Sequence, residues 1–397
     1  MKVKKKVVAA GHACLDITPV FPRSGGCRRI GDVLVPGRLI QMEGVSISSG
    51  GSVSNTGLAM RLLGAEVCLM AKTGMDEFGK ILADIYRKYG AADGIIAVQG
   101  ERTSYSAVIA VPGTDRIFLH DPGCNDTFTF ADIDWKKLED AVLFHFGYPP
   151  IMKKMYERGG EELEIMMKYM KEHGIATSMD MAAVDADSEA GRADWEAILE
   201  RVLPYVDFFV PSVEELCFML DRPRYESWQK RADGGDPVEF LDPETDVRPL
   251  AERCIALGAK MVLIKCGAPG LYYKTADAGQ LGDLAAITGI DPVNWGAKEG
   301  FERSYVPDQV LSGTGAGDTT IAAFLCAMLD GYPFLRCIQL AAAQGASCVA
   351  SYGALDGICS LEELNTRIER GWAKRIANIR LTLTATERRE EDACKFK

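Results

Sequence analysis

The stretch "LSGTGAGDTTIAAFL", residues 311–325, places three glycines at alternate positions directly before an acid and an apolar run. Glycine weakens any regular element, so its repeated use here indicates a turn whose backbone must remain open. The apolar run after the acid predicts a helix, and the first N–H groups of a helix are unpaired and partly positive. The sequence therefore predicts an anion hole at Gly315, Ala316 and Gly317, with the carboxylate of Asp318 beside it.

An acid at the position of Asp318 suits phosphoryl transfer, in which it takes a proton from the attacking hydroxyl group. Unperturbed Asp has a pKa of about 3.9, and so weak a base suffices because the transition state is loose. Two alternatives remain open at this point: Asp318 is also suited to cap the helix, and glycine-rich turns also bind dinucleotides. The fingerprint G-x-G-x-x-G is not matched in this stretch, and the chain has no Walker-type G-x-x-x-x-G-K-[ST].

The composition is that of an ordinary soluble globular protein, since 47% of the 397 residues are apolar and 25% are charged. A chain of this length is expected to form one large α/β unit or two domains. Its formal net charge of −11 argues against nucleic-acid binding, which needs a basic face. An anionic small ligand held by backbone amides is compatible with that charge.

The cysteines and histidines predict neither a metal site nor a redox pair. No two of the 12 cysteines have C-x-x-C spacing, and the four histidines, at positions 12, 120, 145 and 173, show no metal-binding pattern. Scattered thiols of this kind are typical of reduced, buried cysteines in a cytosolic protein. The basic start of the chain turns polar too soon for a signal peptide or a membrane span, so a cytoplasmic location is expected.

Short β-rich runs alternate with amphipathic segments along most of the chain. The predicted strands lie at 6–10, 66–74, 94–98, 107–111, 142–147, 175–180, 207–211, 260–265 and 271–274. The predicted helices include 157–173, 195–203, 213–220, 247–258, 315–330 and 334–351. Such alternation predicts an α/β three-layer sandwich, with a mostly parallel central sheet and helices on both faces. Ligands in such sheets bind beyond the carboxyl ends of the strands.

Four segments break this alternation. Residues 17–48 are rich in glycine, proline and β-formers, and they predict a small β excursion from the main body. Residues 222–248 and 276–306 are polar and predict surface insertions. The chain from 371 to 397 ends in a charged stretch and predicts a frayed tail.

Two separated motifs also carry a resemblance to a known family. "SGTGAGDTTIAAFL" is similar to the family motif D-T-x-G-A-G-D. "SSGGSVSNTGLAMRLLGAEVCLMAKTGMDEFG", residues 48–79, resembles a Gly-Gly-x-x-x-Asn stretch followed by a helix, a strand and G-x-D-x-x-G. The two motifs, 48–79 before 312–325 along the chain, resemble the ribokinase-type (PfkB) carbohydrate kinases, and weaker matches extend the resemblance over about residues 5–365.

The resemblance implies an enzyme that transfers the γ-phosphoryl group of ATP to a hydroxyl of a sugar or related polyol, such as a sugar acid, cyclitol or nucleoside. Asp318 is then the catalytic base, and Gly315, Ala316 and Gly317 form the anion hole for the phosphoryl group. The implied substrate-binding residues are Asp16 at the end of the first strand, Gly50, Gly51, Asn55 and, in "LHDPGCND", Asn125.

The same resemblance implies a nucleotide and a metal. In "DFFVPSVEELCFML", Glu215 is the implied residue that orients Mg²⁺ through water, although a first-turn helix acid explains it too. The implied ATP-binding residues are Lys265, Gly267, Gly270, Thr314, Gly315 and Gly317.

Four positions depart from the family pattern. Ser212 replaces an asparagine, and Lys265 stands where a small hydroxyl residue is more usual. Ser312-Gly313 replaces an Asp-Thr pair whose acid helps hold a monovalent cation in relatives, which puts K⁺ dependence in doubt. The departures at 212, 312 and 313 keep an alternative open, a non-catalytic sugar or nucleotide sensor on a kinase scaffold. A dinucleotide-dependent oxidoreductase is disfavoured because no fingerprint follows the first strand.

The family pattern also implies a domain division. Residues 17–48 with 107–120 are expected to form a β lid that excludes water and pairs two copies into a homodimer. The expected main kinase domain comprises 1–16, 49–106 and 121–370. Three lid arginines, Arg23, Arg28 and Arg29, could meet an acidic substrate, although a solvated face also explains them.

Overall fold

The computed structural model describes residues 5–22, 30–112 and 116–376, and in these ranges it contains thirteen strands. In chain order they are β1 Lys6–Gly11, β2 Cys14–Val20, β3 Gly44–Gly50, β4 Glu66–Gly74, β5 Ile95–Val98, β6 Tyr105–Ile109, β7 Ile117–Asp121, β8 Ala141–Gly147, β9 Ala176–Asp180, β10 Phe208–Phe209, β11 Met261–Cys266, β12 Gly270–Thr275 and β13 Glu299–Arg303. The arginines at 23, 28 and 29 lie outside the described residues.

The α-helices lie between these strands and, for the last three, after β13. They are α1 Ala59–Leu62, α2 Glu77–Lys88, α3 Lys153–Tyr156, α4 Glu161–Glu172, α5 Trp195–Val202, α6 Val213–Leu220, α7 Arg222–Ala232, α8 Arg248–Ala256, α9 Gly282–Thr288, α10 Pro292–Trp295, α11 Ala316–Leu329, α12 Phe334–Cys348 and α13 Leu361–Glu369. A π-helical segment, Val53–Leu58, leads directly into α1. No helix in the described ranges is long and apolar enough to cross a membrane.

The main sheet has the strand order β13-β12-β11-β10-β9-β8-β1-β4-β5 among the described residues. Neighbouring strands from β11 to β5 run parallel, and only β12 and β13 pair in the antiparallel sense at one edge. The predicted mostly parallel sheet is therefore confirmed. The carboxyl ends of β1, β8 and β9 lie side by side, because these strands are neighbours and point the same way.

The sheet is buried on both faces, and strand β1 shows how. Val7 and Ala9 pack in one apolar core with α11 and α12, whereas Val8 and Ala10 pack in the other with α4 and α5. Successive side chains of a strand point to opposite faces, so a strand covered on both sides must be apolar throughout. Helices on both faces confirm the predicted three-layer sandwich.

A second sheet, the lid, has the strand order β3-β2-β6-β7. The chain leaves the main sheet after Gly11 and enters the lid at Cys14, so the break between the two sheets falls at His12–Ala13. Asp16 was expected at the end of the first strand, and that placement is wrong: it lies within β2, the first strand of the lid. The break is short because a positive φ of 124° at Gly11 turns the backbone sharply.

The two segments predicted as surface insertions are more ordered than their polarity suggested. Residues 276–306 contribute β13 to the edge of the main sheet and bury Trp295. Residues 222–248 contain α7, which buries Trp228. In each case a few apolar side chains, the tryptophan among them, anchor an otherwise polar stretch to the core, a stabilisation that average polarity does not reveal.

The start of the predicted C-terminal tail is paired with the body of the protein. Val306 N–H donates to the carbonyl of Ala373 at 2.8 Å, and Arg375 N–H donates to the carbonyl of Ser304 at 2.8 Å. The tail beyond 376 lies outside the described residues.

Candidate active site

A cleft of about 1530 Å³ lies between the lid and the carboxyl ends of the parallel strands. It contains most of the residues that the sequence singled out. Those lining it are Asp16, Gly51, Asn55, Glu215, Lys265, Gly267, Thr314, Gly315, Ala316, Gly317 and Asp318. Residues from both ends of the chain thus meet in one cavity, at the edge where α/β sheets bind ligands.

The glycine-rich loop forms an open cradle at the start of α11. Gly315 has a φ of +73° and precedes the first residue of the helix, and a Cβ at this position would collide with Ala354. A Cβ on Gly317 would point to the side chain of Lys265, 3.3 Å from its Cδ. The hydroxyl oxygen of Thr314 is buried without a hydrogen-bond partner among the described residues. Bare amides and an unsatisfied hydroxyl fit an anionic ligand.

Asp318 lies in the first turn of α11, and its carboxylate is held from three sides. Tyr148 Oη donates to both oxygens, at 2.7 Å and 2.8 Å. Thr56 Oγ1 donates at 3.0 Å and Asn55 Nδ2 at 3.3 Å. Burial raises the pKa of Asp318, whereas Lys265 and the three donors oppose that rise. A buried carboxylate with a raised pKa is a better base than an exposed one.

Lys265 brings a positive charge to the glycine loop. Its Nζ lies 2.6 Å from Asp180 Oδ1, and its side chain passes over Gly317. Burial lowers the pKa of Lys265, but the carboxylates of Asp180 and Glu215 outweigh that effect and the net pKa lies above its usual value. Burial in turn raises the pKa of Asp180 to about 8, against the attraction of Lys265. Lys265 is therefore a fixed cation beside the glycine loop.

The acidic side of the cleft centres on Glu215 and Asp180. Glu215 Oε2 accepts a hydrogen bond from Ser212 N–H at 2.7 Å, and Ser212 Oγ accepts one from Glu215 N–H at 3.3 Å. This capping box explains how the chain uses serine at a position where an asparagine was expected. The second oxygen of Asp180 is buried and has no hydrogen-bond partner among the described residues. Two carboxylates facing one cleft, one with an orphaned oxygen, fit the ligand preference of Mg²⁺.

The opposite side of the cleft belongs to the lid and the first glycine pair. A Cβ on Gly50 would overlap the carboxylate of Asp16, and a Cβ on Gly51, whose φ is +82°, would collide with His12. The two glycines therefore make room for these polar side chains at the cleft wall. Burial raises the pKa of Asp16 to about 6.

Three of the sequence-derived site residues do not line the cleft. Gly50 acts only by leaving space for Asp16, and a Cβ on Gly270 would collide with the carbonyl of Glu302 in the neighbouring strand. Asn125 is fully buried, where its Nδ2 donates to the Ala13 carbonyl at 3.0 Å and its Oδ1 accepts from Ala13 N–H at 3.3 Å. Its amide group therefore holds the break between main sheet and lid.

The lid reaches across the cleft to the glycine loop. The guanidinium group of Arg116, next to β7, donates to the hydroxyl of Ser312. Ser312 Oγ also accepts from Thr314 N–H at 3.1 Å. The serine that departs from the family pattern thus links the lid to the anion hole.

Sequence reasoning missed Tyr148, Thr56 and Asp180. Tyr148 directly follows β8 and Asp180 ends β9, so both lie at carboxyl ends of buried parallel strands. A search for polar residues at such positions would have found them. The sequence signal for Thr56 was weaker and consisted only of its place next to Asn55 in the motif at 48–79.

The sandwich, the lid and the glycine cradle at a helix start define a class of α/β enzymes that phosphorylate small molecules. Comparison with known families agrees with this class, since the model described as pfkB family carbohydrate kinase matches residues 4–359. The chain belongs to the PfkB family of carbohydrate kinases.

Individual relatives are distant. An uncharacterised sugar kinase of Archaeoglobus fulgidus is 27% identical over 302 residues, which cover 76% of this chain and 98% of the relative. The structure of Arabidopsis thaliana ribokinase complexed with ribose and ATP superimposes with a TM-score of 0.64 at 20% identity, covering 92% of this chain and 98% of the other. The structure of an Escherichia coli protein called Ribokinase II, solved with ATP and Mg²⁺, superimposes with a TM-score of 0.64 at 21% identity. The match covers 92% of this chain and 99% of the other.

Proposed function

We propose that this carbohydrate kinase transfers the γ-phosphoryl group of ATP to a hydroxyl of a sugar or related polyol, with Asp318 as the base. One observation carries the proposal: the Asp318 carboxylate opens into the cleft in the first turn of α11, directly beside the Gly315–Gly317 amides and the Lys265 ammonium group. An attacking alcohol needs a base and a migrating phosphoryl group needs an anion hole, and the two must lie side by side.

In this mechanism the acceptor hydroxyl lies against Asp318 and loses its proton to the carboxylate as it attacks the γ-phosphorus atom. Backbone amides of the glycine loop donate to the phosphoryl oxygens, where negative charge has to be stabilised. Lys265, which Asp180 holds at 2.6 Å, adds a positive charge on the same side. Tyr148, Thr56 and Asn55 keep the carboxylate oriented toward the acceptor.

The phosphate chain of ATP fits the loop that contains Gly315, Gly317 and the unpartnered hydroxyl of Thr314. Glu215 and Asp180 are the residues that would hold Mg²⁺, directly or through water. The ion would neutralise charge on the phosphate oxygens. Gly267, with a φ of +57°, lets the β11–β12 turn line the nucleotide side of the cleft.

The acceptor fits the wall made by Asp16, Gly51 and Asn55. A polyol needs several hydrogen-bond partners of both kinds, and this wall offers a carboxylate, an amide and the backbone of a glycine turn. The resulting class includes sugars, sugar acids, cyclitols and nucleosides. The names of the relatives, among them ribokinase and fructokinase, favour a sugar.

The alternative is a sugar or nucleotide sensor without turnover, for which Ser212, Ser312 and Gly313 are the motivating departures. An assay of ADP release over pentoses, hexoses, sugar acids, cyclitols and nucleosides separates the two. We expect one class to stimulate ADP release in the presence of Mg²⁺. Binding of sugar and ATP with no ADP release for any acceptor would instead establish the sensor.

We also propose that two copies pair through their lids. Among the described residues the lid sheet ends at β3 on one side and at β7 on the other, and it exposes apolar side chains at both edges: Val45, Ile47, Phe118 and Leu119 are between 45% and 58% exposed. An exposed apolar strand edge is a template for pairing with another chain. Sedimentation at micromolar concentration should give a dimer, and a monomer would contradict this arrangement.

A further inference from the structure

Three side chains with soft ligand atoms meet at the break between the main sheet and the lid. His12 follows β1 of the main sheet, Cys14 begins β2 and His120 lies in β7. The ligand atoms of all three lie within 4.8 Å of one another. His12 and His120 are more than 100 residues apart in the chain, so their spacing in the sequence gives no sign of a shared site.

The two imidazole rings approach each other through their Nε2 atoms. His12 Nε2 and His120 Nε2 are 3.2 Å apart. Two nitrogens at this separation, each roughly 2.0–2.1 Å from one ion, subtend an angle of about 100°, close to the tetrahedral geometry of protein-bound Zn²⁺. A single proton shared by the two nitrogens would also explain their separation, but it does not involve the neighbouring thiol.

The surroundings of His120 orient its ring as a metal site requires. Ser106 Oγ lies 3.0 Å from His120 Nδ1, so it can accept that N–H and leave Nε2 as the free ligand atom. The Cys14 thiol lies 3.3 Å from Asp16 Oδ1. His12 Nδ1 has no hydrogen-bond partner in the described part of the chain, so Nε2 makes the polar contact of this buried ring. All three side chains also line the cleft, which provides a route for an ion.

We propose that His12, Cys14 and His120 form a binding site for a thiophilic divalent ion, Zn²⁺ above all, with the fourth position left to water or to Asp16. Imidazole and thiolate ligands prefer Zn²⁺, whereas Mg²⁺ prefers the carboxylates on the other side of the cleft. Because its ligands come from both sheets, a bound ion would fasten the lid to the main body. Resting on the proposed function, an ion next to Asp16 would also compete with the acceptor.

Cobalt provides a direct test that does not depend on turnover. Co²⁺ should bind the purified chain one to one and give the intense visible absorption of a tetrahedral site together with a thiolate-to-cobalt charge-transfer band. Equimolar Zn²⁺ should abolish both signals. In Cys14→Ser the charge-transfer band should disappear. In His120→Gln the affinity should fall by at least about a hundredfold, since even the loss of a ligand's hydrogen-bond partner costs ten- to hundredfold.

Matched controls use a histidine and a cysteine away from this cluster. His173→Gln and Cys359→Ser should keep the full cobalt spectrum, because His173 is on α4's C-terminal end and Cys359 precedes α13. Thermal unfolding of each variant without metal checks that it is folded. An unchanged spectrum in folded Cys14→Ser, or no binding by the parent chain at micromolar Co²⁺, would overturn the site.

Inhibition gives a second, separate readout. Zn²⁺ should raise the KM for the acceptor in the parent enzyme, and His120→Gln should need much more Zn²⁺ for the same effect. If the chain binds Co²⁺ as described but phosphorylates no acceptor, the metal site stands and only the proposed function fails. If the chain is an active kinase but gives no cobalt signal, the proposed function stands and the metal site fails.

Discussion

The hydroxyl of Tyr148 bridges both oxygens of Asp318, at 2.7 Å and 2.8 Å. Tyr148 has a left-handed backbone conformation, with a φ of +68°, directly after β8. Such a conformation is costly for a bulky residue, so it persists only where its surroundings enforce it. The neighbouring "PP" pair, Pro149 and Pro150, is buried beside it and fixes the turn. Tyr148 is therefore a positioning residue for the proposed base.

Replacing Tyr148 by phenylalanine should lower kcat/KM by about tenfold or more. A hydrogen bond to a charged group contributes about 1.5–3 kcal/mol, and its loss lets the carboxylate turn away from the acceptor. The bond also lowers the pKa of Asp318, so the acid limb of the pH–rate profile should move to higher pH. Steady-state kinetics over a pH series measures both effects. A shift without the rate loss would mean that Tyr148 tunes the base without orienting it.

Asp318→Asn should keep ATP binding nearly intact while reducing kcat by about 10²- to 10⁴-fold, the usual contribution of a general base. Asparagine preserves the shape of the side chain and removes the proton acceptor. Asp330→Asn, at the other end of the same helix, is the matched control and should retain activity. Calorimetric titration with ATP and single-turnover kinetics distinguish binding from chemistry. Full turnover by Asp318→Asn would remove this residue from the base role.

Lys265→Met should lower kcat by roughly 10²- to 10³-fold, as for the loss of one preorganised charge at a transition state. It should also change the pH dependence. The base must be ionised, so activity falls as the pH drops through the pKa of Asp318; Lys265 lowers that pKa, and its removal shifts the fall to higher pH. Profiles of kcat/KM for this variant and for Lys260→Met, a control at the start of β11, provide the measurement. Coincident acid limbs would contradict the electrostatic role.

Asn125→Ala should destabilise the fold more than it impairs acceptor binding. The change leaves both Ala13 backbone groups unpaired in a buried place, at a cost of about 2 kcal/mol or more. Asn365→Ala, which loses only an exposed contact with Glu369, should have little effect on stability. Urea unfolding measures the change in stability, and the KM for the acceptor measures the change in acceptor binding. A large KM increase with unchanged stability would return Asn125 to the substrate site.

The fold was largely predictable because its signals are local. Alternating β-rich and amphipathic segments predicted the parallel sheet, and β1, apolar on both faces, shows why such strands are recognisable. The two segments wrongly expected to be surface insertions share one physical cause. The polar stretches 222–248 and 276–306 are held by several buried apolar side chains, among them Trp228 and Trp295, whose burial depends on residues far away in the chain.

The candidate site was predictable where one segment provides it, as with Gly315, Gly317 and Asp318 at the start of one helix. Tyr148 and Thr56 contact Asp318 from 170 and 262 residues away, so no local pattern reveals them. The histidines are a second case in which spacing along the chain does not reveal a contact. Their sequence spacing predicted no metal site, yet His12 and His120 face each other at 3.2 Å.

The sequence by itself determined the layered fold, the glycine loop at a helix start and the acid beside it, because helix starts and strand periodicity depend on neighbouring residues. The tertiary structure alone decided which groups surround that acid, that Lys265 pairs with Asp180 at the cradle, and that the lid brings Cys14 and His120 to His12. The reason is physical. Chain packing places side chains from distant segments a few ångströms apart, where hydrogen bonds and metal ligation become possible and charges interact most strongly.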